Sequence, residues 1–418
     1  MATRRALRPT FADRGSEFAL FVLRPFVEAW MRVVARRVVE LGPGVDFRRR
    51  EPFLLVANHS FAMDVVHVPM PFRVTPHIVA SRDMFVDPFE RFVITRIARC
   101  VMAPKGGGDV RTVRELLDAI ARGYPVLVFP EGDISFSGAT GEVPPSIAVF
   151  AKKAGVDVIA CRVAGGHLSA PRWARAPRRN RTIELRYELV LSAAELAASS
   201  PRQVAAAIAQ ALQNDDFARQ RELMLARPGK RLAEGLEDLL YACPECGAFH
   251  SMEAAGDMLR CAACGREGRL DEYGFLHGFR FDTTLDWDRW QRGLDAALAA
   301  TSFSSPGTLF THDYTALRRR RVGPVEAAYR GGSLVLAGAL DRAFPCAELH
   351  DVCLTMRSTL HFSEGGVDYV LDLERKAPAF LRACLAAARA APAPASAAAA
   401  PPAQTTPEAA DGAAKEGR

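Results

Sequence analysis

Val56-Ala57-Asn58-His59-Ser60-Phe61-Ala62-Met63-Asp64 carries an apolar run, residues 53–57, into an imidazole and, five residues further on, a carboxylate. The run reads as a short buried strand. A helix starting near Ser60 would set Asp64 about one turn along it, pointing back at His59. A carboxylate that accepts from one ring nitrogen fixes the tautomer and raises the basicity of the other nitrogen, which can then take a proton from an alcohol. At this spacing a His and Asp pair is more often a structural hydrogen bond than a catalytic dyad, so a second motif has to decide.

Phe129-Pro130-Glu131-Gly132 is that motif. It follows an apolar strand over 126–129 and ends in a Gly-containing loop, and an acidic residue at the carboxyl end of a strand is a usual place for a functional group. Further apolar runs (156–163) and helical stretches (113–121 and 146–154) alternate with these, which predicts an α/β layer around a largely buried sheet. A helical region follows from 193 to 240, and its last helix, 231–241, leads into a cysteine cluster.

Asn58-His59 with Asp64 resembles the first motif of the glycerolipid acyltransferase family that includes the lysophosphatidic acid acyltransferases, and Phe129-Pro130-Glu131-Gly132 resembles its third. The resemblance covers about half the chain. It implies a mixed sheet flanked by helices over 46–230, with His59 as general base and Asp64 as its orienting partner. Asn58, Glu131 and Gly132 would lie against the substrate, Glu131 at the acceptor's polar head group. Lys105, after Val101-Met102-Ala103-Pro104, would touch the acceptor's phosphate. The implied reaction moves a fatty acyl group from acyl-CoA or acyl-carrier protein to a hydroxyl of a lysophospholipid or related glycerolipid. No Ser or Cys nucleophile beside a base stands out, so no covalent enzyme intermediate is required.

Two departures qualify the resemblance. Asp133 and Ile134 follow Gly132 where the family has Thr or Asn and then Arg, which disfavours an anion nearby. A proline of the fourth motif is absent from Val156-Asp157-Val158-Ile159-Ala160. Downstream, Arg172 and the cluster Arg175, Arg178, Arg179 and Arg181 either replace the missing charge at the substrate or form a solvated basic loop. This segment and the stretch 232–241 resemble a bacterial subgroup that carries a cysteine module after the catalytic domain.

Cys243-x2-Cys246 and Cys261-x2-Cys264, each knuckle followed by a glycine, have zinc-ribbon spacing. Four thiolates leave no open coordination position, so the expected Zn²⁺ is structural, in a module over 231–272 that includes the preceding helix. Disulfides are the alternative, disfavoured by a cytosolic setting and five other scattered cysteines. From 273 to 390 the pattern turns to short β runs (309–317, 325–330, 333–337, 352–358, 360–363 and 367–373), with Gly331-Gly332 and Gly365-Gly366 as turns and a closing helix at 377–389. This region resembles in pattern a pleckstrin-homology or GRAM-like barrel, with Arg318 to Arg321 as its basic loop. Residues 391–418 are an Ala/Pro tail expected to be disordered.

Residues 1–50 hold eleven Arg against five Asp or Glu, a surplus equal to the whole formal charge of +6. Within the basic N-terminal segment, 1–45, a helix predicted over 18–39 repeats Arg24, Glu28, Arg32 and Arg36 along one stripe beside Leu, Phe, Val, Trp and Met. It reads as a helix lying on a bilayer or, equally, as a core-packing helix with a solvated stripe. Its charges and Pro25 exclude a membrane span, and it lacks a signal-peptide cleavage site. The expected setting is cytoplasmic and peripheral on the inner face of the cell membrane, with membrane lipids and an acyl thioester donor as partners. The alternatives are a non-catalytic lipid-binding adaptor and a zinc-ribbon module that binds nucleic acid or protein. The ribbon carries Arg260, Arg266 and Arg269 against six carboxylates, so nucleic acid is not expected as a partner.

Overall fold

The computed structural model describes residues 10–103 and 110–391. Lys105 and all but the first residue of the Ala/Pro tail lie outside the described residues. Helix α1 (Phe11–Val34) opens on a capping box, in which the Thr10 hydroxyl accepts from the Asp13 amide at 3.1 Å and the Asp13 carboxylate accepts from the Thr10 amide at 2.8 Å. It does not run on to residue 39. The β-branched residues beyond Ala35 fall in strand β1 (Arg36–Leu41), which pairs in parallel with β7 (Thr182–Leu191).

The first sheet also contains β2 (Leu54–Ala57), β3 (His77–Ser81), β4 (Cys100–Ala103), β5 (Val126–Val128) and β6 (Val158–Ala164), in the order β1-β7-β6-β2-β5-β3-β4. It is mixed: β6 and β7 are antiparallel and the other pairings are parallel. Central β2 is buried on both faces. Leu54 and Val56 pack under α4 (Val110–Ala121), α5 (Ser146–Ala154) and α8 (Pro201–Leu212), whereas Phe53, Leu55 and Ala57 pack with Phe72, Val68 and Tyr187 on the other side. Period-two alternation in a fully apolar strand thus sends one set of side chains into each layer. Four further helices complete this half: α2 (Asp64–His67), α3 (Pro88–Arg96), α6 (Gly166–Ser169) and α7 (Ala193–Ala198), followed by α9 (Asp216–Leu223).

The helix expected over 231–241 shrinks to a single turn, α10 (Leu236–Leu239). The Leu232 amide donates to Asp257 Oδ1 at 2.8 Å and the Ala233 amide to the Gly256 carbonyl at 3.0 Å, so these donors serve the cysteine module and not a helix. That module is a four-stranded antiparallel sheet, β8 (Met252–Ala255), β9 (Met258–Cys261), β10 (Glu267–Leu270) and β11 (Leu276–His277). Strand β11 carries it past residue 272. Two helices that the strand reading of 273–390 overlooked come next, α11 (Thr284–Arg292) and α12 (Asp295–Ala299). Thr283 caps the first through the Asp286 amide.

Seven antiparallel strands make the last sheet: β12 (Phe303–Asp313), β13 (Arg318–Arg330), β14 (Ser333–Gly338), β15 (Arg342–Pro345), β16 (His350–Thr355), β17 (Thr359–Glu364) and β18 (Val367–Leu373). They lie in the order β15-β14-β13-β12-β18-β17-β16, with α13 (Ala377–Ala390) packed on them. Expected strands 309–317 and 325–330 lengthen into one long hairpin, β12 with β13.

Arg172 pins this sheet to the half of the chain built on the first sheet. It pairs with Asp133 at 2.8 Å, lies 3.8 Å above the Phe136 ring, and donates to the carbonyls of Ile134 (3.0 Å), Leu354 (3.1 Å) and Met356. Asp83, beside β3, receives Tyr314 Oη and lies 3.3 and 3.5 Å from the Nδ1 atoms of His312 and His361. Burial opposes the ionised form of Asp83, but these three partners hold its carboxyl well below the usual range. Phe136 joins both the core of the β-sheet domain and that of the ribbon. Arg172→Ala leaves three carbonyls and Asp133 without their donor, and should destabilise the chain by about 2–3 kcal/mol. Hydrogen exchange should then speed up at residues 133–136 and 354–356 together; faster exchange at only one of these segments would show that the pin is not shared.

Candidate functional site

His59 and Glu131 stand at the carboxyl ends of β2 and β5, which are hydrogen-bonded neighbours. The chain turns sharply after Asn58, and Asp64 is the first residue of α2 and does not lie a turn along a helix. Its Oδ2 accepts from the Ser60 amide (2.6 Å), the Phe61 amide (2.9 Å) and His59 Nδ1 (3.2 Å). The carboxylate is fully buried. Burial raises its pKa, against the opposing pull of His59 and the two amides. With Nδ1–H donating to Asp64, the His59 Nε2 lone pair is free to take a proton. The ring stacks on Phe129 with centroids 4.4 Å apart.

Three residues expected at the substrate have other tasks. The Asn58 side-chain amide is spent on the β6 backbone, donating to the Val163 carbonyl at 2.9 Å and accepting from the Val163 amide at 2.7 Å. Glu131 turns its carboxylate back into the protein, where Oε1 accepts from the His59 amide at 2.8 Å and Oε2 from the Gly141 amide at 2.5 Å. It holds the His59 backbone, while the Ser135 amide donates to the His59 carbonyl at 2.9 Å. Arg172 is the pin described above, with every carbonyl it meets on the chain itself. Gly132 closes the turn after Phe129, its amide donating to the Phe129 carbonyl at 3.1 Å. Lys105 falls outside the described residues.

Other supports carried no signal in their spacing. Ser60 Oγ accepts from the His167 amide at 2.9 Å, and Asp216 accepts from the amides of Gly165 (2.7 Å) and His167 (3.0 Å). Gly166 comes so close that a methyl group there would collide with Ser60 Oγ and the Phe61 ring. The sequence Gly165-Gly166-His167 was the available clue, a backbone kept bare for close approach.

The four cysteines converge. Their sulfurs all lie within 4.8 Å of one another, with Cys243 to Cys264 at 4.0 Å and Cys246 to Cys261 at 3.8 Å. A tetrahedral ion with metal–sulfur bonds of about 2.3 Å sets its sulfurs roughly 3.8 Å apart, so the cluster can hold a metal ion. Gly247 and Gly265 take the positive φ that lets each knuckle turn, and each donates its amide to the carbonyl of the first cysteine.

Burial pushes the Glu131 carboxyl up to about 7, although the Gly141 and His59 amides favour its charged form. Because the folded value exceeds the unfolded one, this group's stabilising contribution is full below about 4.5 and lost as pH rises through about 7. The ionised form is nonetheless the better acceptor for both amides. Glu131→Gln should therefore keep the fold, lower kcat by about 10- to 100-fold, and remove one ionisation from the acidic limb of the kcat profile. An unchanged profile with unchanged kcat would rule out a positioning role.

A family model described as Acyltransferase matches residues 44–164, the stretch that holds β2, β5, His59, Asp64 and Glu131. No curated protein matches the chain. Among solved structures, the 1-acyl-sn-glycerophosphate (LPA) acyltransferase from Thermotoga maritima is similar at 20% identity and a TM-score of 0.36, over 47% of this chain and 78% of that one. The stretch that carries the site, residues 44–164, is thus what is similar to the acyltransferase family.

Proposed function

We propose that the protein transfers a fatty acyl group from acyl-CoA or acyl-carrier protein to a hydroxyl of a lysophospholipid or related glycerolipid. The observation that carries this reading is the His59–Asp64 pair, its backbone clamped by Glu131 at the ends of adjacent strands. In the reaction, His59 Nε2 takes the acceptor's hydroxyl proton as the oxygen attacks the thioester carbonyl. The tetrahedral intermediate collapses, the C–S bond breaks, and the departing thiolate receives the proton from the imidazolium. Asp64 holds the ring and favours its charged form during the exchange.

The exposed apolar side chains of α1 and α3 support attachment to a membrane surface. No helix among the described residues is long and apolar enough to cross a membrane. Phe18, Phe21, Phe26, Trp30 and Val33 of α1 and Phe89 and Phe92 of α3 are nonetheless exposed, Phe21 by 78% and Val33 by 86%. Each would gain about 1.5–3 kcal/mol from full burial, more than a surface helix forgoes without a partner medium. Ser16 Oγ donates to the Arg96 carbonyl at 2.6 Å and Asp13 pairs with Arg122 at 3.0 Å, which fastens α1 to the catalytic half. We read this face as lying in the surface of the inner membrane leaflet.

The metal of the cysteine cluster is read as Zn²⁺ in a structural role, with Cys243, Cys246, Cys261 and Cys264 as ligands. The last domain is read as pleckstrin-homology-like, which its strand order and packed C-terminal helix support.

His59→Ala should lower acceptor-dependent thiol release from palmitoyl-CoA by about 1,000-fold or more without unfolding the chain, with lysophospholipids and glycerol-3-phosphate tested as acceptors and acyl-carrier protein as the second donor. Retained turnover would overturn the mechanism, and wild-type protein inert with both donors would favour a lipid-binding adaptor. Chelation should release one zinc per chain and change the emission of Trp287, whose Nε1 donates to the Ala242 carbonyl beside the first cysteine. Unchanged emission on metal release would dissociate the metal from the ribbon fold.

A further inference from the structure

An open concavity of about 510 Å³ lies where the end of α1 meets β1. Arg32, in the last turn of α1, and Arg36 and Arg37, the first residues of β1, line it together. Among the described residues, none of these three side chains has an ion pair or a hydrogen bond. Glu28 is the one carboxylate on the lining, and Arg24 already pairs with it at 3.2 Å. The opposite wall is apolar and firm: Phe47 meets Phe72 and Tyr187 edge to face at 4.9 and 5.0 Å, and its carbonyl accepts from the Arg73 amide at 2.8 Å.

Three uncompensated guanidinium groups in one concavity select an anion, and planar guanidinium suits phosphate oxygens. The cavity is large enough for a phosphate with its attached head group. Its position names the source, because it sits at the end of α1, the helix that also exposes Phe26, Trp30 and Val33. None of the residues lining it belongs to the His59 site. We propose that Arg32, Arg36 and Arg37 form a binding site for the phosphate head group of an anionic membrane phospholipid, which anchors the protein beside α1. This rests on the bilayer reading of α1.

Flotation of the full chain with phosphatidylcholine vesicles, alone, with phosphatidylglycerol, or with oleate at matched charge, tests the site. Wild type should bind the phosphatidylglycerol vesicles most tightly. Arg32→Gln/Arg36→Gln/Arg37→Gln should lose that binding by about 100-fold, since each basic group near an anionic surface contributes several-fold. The charge-matched control Lys153→Gln/Arg202→Gln/Lys230→Gln, at exposed positions elsewhere on the catalytic half, should lose far less. Equal losses in the two triple variants, or equal wild-type binding to oleate and phosphatidylglycerol vesicles, would overturn the site while leaving the bilayer reading intact. Wild type that floats with no vesicle would overturn both. Monomeric dihexanoyl phosphatidylglycerol should compete with vesicle binding at concentrations where inorganic phosphate does not; competition by inorganic phosphate alone would assign a free-phosphate site and overturn the lipid.

Discussion

A carboxylate removed from water has to collect its donors from the chain, and Asp64 collects three on one oxygen from residues within six of each other. Withdrawing such an ion from solvent costs several kcal/mol, while each charge-assisted hydrogen bond returns about 1.5–3. Loss of any one donor would therefore leave the buried charge under-compensated, so the turn from His59 to Asp64 has essentially one permitted shape. The remaining supports build on that turn: Glu131 and Ser135 grip the His59 backbone, Asn58 ties the strand end to β6, and Ser60 receives the loop at His167.

What the sequence made legible was local or periodic. His59 and Asp64 are five residues apart, the buried strands are unbroken apolar runs, and two Cys-x2-Cys knuckles state their own geometry. The direction in which Glu131 points was not legible, because its partners are backbone amides, which every residue has and no motif records. The same holds for Asn58. Composition likewise placed a helix over 18–39, but pairing of Arg36 to Leu41 with β7 is a contact across some 145 residues, and tertiary pairing overrides a helical period. The cap of α11, Thr283 accepting from the Asp286 amide, lies within a stretch whose dominant pattern is β, so the helix was not legible there.

The departure after Glu131-Gly132 has a physical account. Asp133 faces Arg172, and together with Phe136 they bind the loop after Gly132 to strand β16 and the turn after it. A guanidinium in that loop would repel Arg172, and an Asp attracts it.

That fastening has a temporal side. Phe136 and the carbonyl of Met356 are 220 residues apart in the chain (356 − 136), and at usual rates of synthesis the second emerges roughly 10–45 s after the first. Until then Arg172 has no carbonyl from β16 to meet, and Phe136 has the ribbon core but not that of the β-sheet domain. The loop beside His59 therefore reaches its final shape only after β16 has emerged, and a nascent chain holds β2 and β5 well before it holds that loop in its finished form.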